Sequence, residues 1–221
     1  MMRKLRYLVF AILLFSLSAC SVFNHGKISQ DVLPWRKSGD VLLADNFSDE
    51  NSGWEIVNNV YELKGYSTNG YLISVNQENS RSLSTTGRSF NNSVSEVSLQ
   101  KITGARDSQF GLICRYQDKL NFYAFVITAD GYAGIVRFLE GEAALLGSDQ
   151  FIRFEAVNQD DGVNSLTASC IENTLELKVN DKKVISAEDN SFANGENGLM
   201  VETFETKGVT VVFNDLKIVK P

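Results

Sequence analysis

Between Val41 and Val219 no stretch keeps an apolar residue at every third or fourth position over the length of a helix. Short segments rich in Val, Ile, Phe, Tyr and Thr recur instead, separated by clusters of Gly, Asn and Asp. The predicted strands are Val41–Phe47, Val60–Lys64, Tyr71–Val75, Val94–Lys101, Gln109–Tyr116, Phe122–Ala129, Tyr132–Leu139, Phe151–Val157, Ser165–Ile171, Thr174–Val179, Lys183–Ser186, Leu199–Thr203 and Val209–Val219. About 13 strands joined by short turns restrict the fold to an all-β, antiparallel sandwich or barrel. The turns carry their own chemistry. Ala129-Asp130-Gly131 reads as a tight hairpin, Asn180-Asp181 as a second with residues that tolerate left-handed geometry, and Glu140-Gly141-Glu142 as a third.

Alternation assigns side chains to faces. Phe110, Leu112, Cys114 and Tyr116 share one face of their strand, and Gln109, Gly111, Ile113 and Arg115 the other. Tyr123, Phe125 and Ile127 oppose Phe122, Ala124 and Val126, so that strand is apolar on both sides and belongs in the middle of a covered sheet. Leu166, Ala168 and Cys170 share a face. Both Cys114 and Cys170 therefore point toward a core.

The N-terminus has a different character. Arg3, Lys4 and Arg6 precede an apolar run from Tyr7 to Leu17, too short for a membrane-spanning helix, which ends in Leu17-Ser18-Ala19-Cys20. The quartet LSAC resembles the lipobox of bacterial lipoproteins. That resemblance implies a signal peptide over residues 1–19, acylation of Cys20, and a lipid anchor at the cell membrane or outer membrane, facing away from the cytoplasm. Residues 20–39 lack any period and read as a tether, leaving residues 40–221 as the folded domain. With Cys20 assigned to lipid, Cys114 and Cys170 remain as a pair in an oxidising compartment. They either bridge or stay as two separate buried thiols, and the compartment favours the bridge.

Charge and composition narrow the chemistry. The chain carries 21 Lys+Arg against 27 Asp+Glu, a formal net charge of −6, which argues against sequence-independent nucleic-acid binding. The one histidine, His25, lies in the tether, so the domain has none for a Ser-His-Asp triad or an imidazole metal site.

The stretch GLICRYQDKLNFYAFVITADGYAGIVRFLEG (residues 111–141) is similar to bacterial extracytoplasmic domains with the concanavalin A-like, or laminin-G-like, jelly-roll fold. That group includes laminarinase-type glucanases and the 3-keto-disaccharide hydrolase-type domains. DNFSDENSGW (45–54), GYLISV (70–75), NSLTASCIENTLELKVNDKKV (164–184) and GLMVETFETKGVTVVFNDLKIV (198–219) extend the resemblance over nearly the whole domain. It implies that the first and last strands pair, and, since many relatives of this fold hold a structural Ca²⁺ near them, Asp45, Asp49 and Asp215 are either its ligands or, the favoured reading in the absence of a dense Asp-x-Asp-x-Asp loop, solvated carboxylates. No other cofactor is expected.

The glucanases of this fold carry Glu-x-Asp-x-x-Glu on one strand. The nearest acidic groupings here, Glu140-Gly141-Glu142 and Glu202 with Glu205, do not match it. Binding is the better expectation. Aromatic platforms rimmed by polar groups suit sugars, and the candidates are Trp54, Tyr116 and Tyr132 with Arg115, Asp118 and Asn121, although aromatics of this kind equally suit a core. The expected function is a non-catalytic envelope lipoprotein binding a polysaccharide or another envelope component. The alternatives are a glycan-processing hydrolase and a structural lipoprotein with a protein partner.

Overall fold

A computed structural model describes residues 39–221. The expected signal sequence, Cys20, His25 and Trp35 lie outside the described residues. Two antiparallel sheets pack face to face. The first runs in the order β14 (Lys182–Glu188), β13 (Thr174–Val179), β12 (Asn164–Ile171), β6 (Ser93–Thr103), β16 (Val209–Val219), β4 (Gly70–Val75), β3 (Glu62–Ser67) and β2 (Val57–Asn58). β1 (Val41–Asp45) also pairs with β16, through Leu216–Val219, whereas β4 uses Val209–Phe213. The second sheet runs β10 (Glu142–Leu146), β9 (Tyr132–Leu139), β8 (Asn121–Thr128), β7 (Gln109–Asp118), β15 (Gly195–Glu202) and β5 (Arg81–Phe90), with β11 (Ile152–Arg153) also on β9.

The strands are 16 rather than about 13. β2, β5 and β10 are additional, and the predicted strand Phe151–Val157 contracts to the two residues of β11. The long omission is β5, Arg-Ser-Leu-Ser-Thr-Thr-Gly-Arg-Ser-Phe, ten residues that hold only two large apolar side chains. Its inward face is built from serines: Ser82 and Ser84 are buried, and Ser84 Oγ lies 2.9 Å from Tyr71 Oη. A polar residue on each face erases the alternation that marks a strand.

The space between the sheets holds one continuous core. Phe110, Leu112, Tyr123, Phe125 and Ile135 from the second sheet meet Leu99, Leu166, Leu177, Val211 and Phe213 from the first, all enclosed. Cys114 on β7 and Cys170 on β12 form a disulfide that joins the two sheets through this core. The first and last strands pair as expected, and Gly39 N and Lys220 N donate to Lys220 O and Asp40 O, fastening entry and exit at one corner.

Alternation fails at one place on β7. Arg115 adopts φ of 52°, and the register between β7 and β8 shifts between Cys114 and Asp118. This bulge re-aims the following side chain, so Tyr116 sides with Ile113 and Phe122 instead of with Cys114.

Candidate functional site

The outer face of the second sheet would be the natural concave platform of a sandwich, yet it is closed by its own side chains. Ile113, Phe122, Ala124, Val126, Val136, Phe138 and Met200 form a second apolar cluster, with Leu83, Tyr116, Leu145 and Phe151 packed against it. The Arg81 guanidinium lies 3.6 Å from the Phe138 ring centroid and is ion-paired at 2.6 Å to Glu202. Gly134 shows how tight the cover is, because a Cβ there would meet the Phe151 ring at 2.8 Å. A ligand on this face would have to displace a packed aromatic stack.

Polar access lies instead along the free edge of β5, where two hollows open. The first, about 760 Å³, is bounded by Ser80 and by Arg81–Leu83 of β5, by Tyr61, Glu62 and Lys64 at the β2–β3 margin, and by Tyr116 and Lys119. Both faces of the Tyr116 environment matter here. Its ring packs 5.9 Å from Phe122, and the residue also lines the hollow. Burial first, and then the negative charge of Asp118 and Glu55, holds its phenol above the ordinary range, so it stays a hydrogen-bond donor at neutral pH. Lys64, 4% exposed, forms the floor. Its ammonium donates to Glu55 Oε2 at 2.5 Å and Leu83 O at 2.9 Å, with Glu62 Oε2 at 3.9 Å. Ser82 Oγ in turn donates to Glu62 at 2.7 Å. This wedge fixes the β3 edge against β5, because its three partners belong to different parts of the chain.

The second hollow, about 970 Å³, lies between β1 and the far half of β5, with Asn46, Asp49, Thr86, Arg88 and Lys217 on its walls. Asp45, Asp49 and Asp215, the candidate calcium ligands, all border it. Asp45 is already engaged, accepting from Phe47 N at 2.7 Å and from Trp54 Nε1 at 2.9 Å, and Asp49 accepts from Asn51 N at 2.9 Å. Among the described residues no group of three or more His, Cys, Asp or Glu side chains is placed to hold a metal ion.

The residues expected to bind sugar do not converge. Trp54 is 6% exposed, with its ring between Phe47 and Tyr71 at centroid distances of 5.3 and 5.5 Å, so it is a core residue and offers no open platform. Arg115 is buried and ties down the chain by donating to Phe192 O and Asn91 O. Asp118 and Asn121 are spent on the β7–β8 turn: Asp118 accepts from Leu120 N and Asn121 Nδ2, while Asn121 Oδ1 accepts from Glu140 N. Tyr132 sits at the opposite end of β9, roughly 20 Å from the Tyr116 end, with Arg153 at 5.7 Å from its ring. Of that set Tyr116 lines the first hollow and Trp54 the second, and β5, which contributes to both hollows, carried no sequence signal at all.

Neither a family model nor a curated protein sequence matches the chain. Solved structures do. The carbohydrate-binding module CBM66 from Bacillus subtilis is 19% identical, with 76% of this chain and 96% of that one covered at a TM-score of 0.62. A protein of unknown function with a galectin-like fold, also from Bacillus subtilis, is 10% identical over 84% and 99% at 0.59. A GH16 enzyme of the Bacteroides ovatus mixed-linkage glucan locus, solved with an oligosaccharide product, is 11% identical over 80% and 99% at 0.54. At these identities the likeness is one of architecture, and the described domain is a concanavalin-like jelly-roll sandwich of the kind found in carbohydrate-binding modules and glycan-processing enzymes.

Proposed function

We propose that this protein is a non-catalytic glycan-binding module, held at the outside of a bacterial membrane by acyl chains on Cys20. The observation that carries the binding reading is the hollow beside β5, polar in lining, of a size that takes small ligands and edged by the half-buried ring of Tyr116 and the exposed ring of Tyr61. Its neighbours in fold include a carbohydrate-binding module and a GH16 enzyme solved with an oligosaccharide product. Hydrolysis by the usual two-carboxylate route needs an open space of about 5 Å between the acid and the nucleophile. The outer apolar cluster on β7, β8 and β9 contains no carboxylate, and on β15 Glu202 is committed to Arg81 while Glu196, which also lines the first hollow, accepts from Gly87 N at 2.9 Å. Glu55 and Glu62 do approach each other, but the Lys64 ammonium occupies the place a glycosidic oxygen would need.

The test is titration of the protein with neutral oligosaccharides by calorimetry, next to a product-release assay. Saturable binding that falls at least ten-fold in Tyr116→Ala, with no product released, supports the reading. Release of product, or silence toward every glycan, overturns it. For the anchor, Cys20→Ser should abolish incorporation of labelled palmitate and release the protein from membranes; unchanged labelling refutes lipidation.

A further inference from the structure

The two hollows are not separate. Gly53 and Thr85 border both, so the hollows meet at a waist where the loop before β2 faces the middle of β5. The waist is open, since a Cβ built on Gly53 or on Gly87 meets nothing within 4 Å. Lining residues from the β5 side run from Ser80 to Arg88, nine residues, which is about 30 Å of strand and several sugar units rather than one.

We infer that the two hollows form one groove in which a neutral polysaccharide lies lengthwise along the edge of β5, and this rests on the glycan-binding reading above. A free strand edge more commonly recruits an extended peptide as an added strand. Here the edge is already occupied by the protein itself. Lys64 Nζ holds Leu83 O, and Glu55 anchors that ammonium in place. Further along, Thr86 Oγ1 donates to Arg88 O at 3.2 Å and accepts from Arg88 N at 3.3 Å. A peptide would find main-chain partners taken at both points, whereas a sugar chain is recognised through side-chain amides, hydroxyls and charges such as Gln77, Thr85 and Arg88.

The charges along the groove set the class of glycan. In the first hollow Lys64 is held between Glu55 and Glu62. In the second, Arg88 and Lys217 stand among Asp45, Asp49 and Asp215. No stretch of the groove is uniformly basic, and the chain as a whole carries −6. Uronate, sulfate or phosphate repeats would meet Glu55, Glu62 and Glu196 beside Lys64, Arg81 and Lys119 in the first hollow and more carboxylates than cations in the second, while the hydroxyls of a neutral chain find donors and acceptors side by side.

The experiment uses ladders of cello-, xylo-, laminari- and fructo-oligosaccharides from disaccharide to octasaccharide, with polygalacturonate as the anionic control. One neutral ladder should gain at least ten-fold in affinity with length before levelling off. Thr85→Tyr, which narrows the waist, and Arg88→Ala, which alters the second hollow, should remove that gain and leave the shortest bound member unchanged. Tyr116→Ala should weaken every member. Melting curves matching the wild type show that the variants are folded. Affinity that stays flat along the ladder, or a gain that survives both waist and second-hollow changes, overturns the extended groove while leaving the binding module standing. Tighter binding of polygalacturonate overturns the neutral class. No binding by any glycan removes both readings, and binding of unstructured peptides instead would do the same.

Discussion

Removing the bridge between Cys114 and Cys170 is the perturbation whose size follows most directly from the structure. The two residues are 56 apart in sequence, and crosslinking a loop of that length lowers the entropy of the unfolded chain by an amount worth about 4 kcal/mol. Both sulfurs are enclosed in the core between the sheets, so Cys114→Ala with Cys170→Ala also leaves unfilled volume and can only add to the loss. Against the 5–15 kcal/mol typical of a domain this is a large fraction, equivalent to roughly 10 °C in melting temperature for a chain of this size. The assay is urea unfolding followed by circular dichroism, with wild type and double variant compared at equal protein concentration. The midpoint should fall and the dependence on urea should steepen, because the unfolded variant is free to expand further than the crosslinked one. A variant that melts within about 2 °C of wild type, or a wild type whose two thiols react without prior reduction, would refute the reasoning.

Three further outcomes test other parts of the fold. Arg81→Ala removes the guanidinium stacked on Phe138 and strands Glu202, whose side chain is 14% exposed; a loss of about 2 kcal/mol is expected after allowing for partial solvent access, and Glu202→Gln in the same background should recover part of it. Gly195→Ala places a Cβ 2.4 Å from the Arg115 carbonyl carbon at φ of 150°, so it should cost several times the roughly 1 kcal/mol expected for Gly53→Ala, which has open space around it and only an unfavourable φ; equal melting temperatures would contradict the close approach seen between β7 and β15. Asp189 is opposed by burial, but hydrogen bonds from Tyr123 and Ser191, and the charge of Arg137, hold its carboxyl below its usual value of 3.8. A depressed folded value means that its contribution is complete above the unfolded value and disappears as pH falls through the folded one, so wild type should lose stability on acidification below about pH 4 more steeply than Asp189→Asn. Parallel acid limbs would refute that.

Sequence and structure coincide where local chemistry and tertiary packing agree. Thr174–Val179 and Val209–Val219 are predicted to the residue because their buried positions are all apolar, in the second across a bulge at Asp215, and the turns beside them hold Asn, Asp or Gly. The apolar outer face of Phe122–Thr128 is equally legible, and it is this face that closes the concave side. What fails does so because it depends on partners distant in the chain. Ser82 and Ser84 can line the core only because Glu62 and Tyr71 satisfy them, and no periodicity announces that arrangement. Tyr116 turns outward through a bulge set by Arg115, whose left-handed backbone is stabilised by contacts with Phe192 and Asn91, more than 20 residues away on either side. The aromatic residues were recognised as important, but a ring needed for the core and a ring offered to a sugar look the same in sequence. Trp54 proves to be the first kind, whereas Tyr116 is half-buried and lines the first hollow.

The clasp between Gly39 and Lys220 has a mechanical side. β1 is five residues long and has β16 as its only partner strand, and the chain enters it at the end where Val41 faces Val219. A pull on the entry therefore loads the hydrogen-bonded pairs one after another, as in opening a zipper, rather than all together in shear. Val41–Asp45 is also a wall of the larger hollow. Tension arriving from the N-terminal side would reach that wall before it reached the core, so the strand loaded first from that end is also one that shapes the larger hollow.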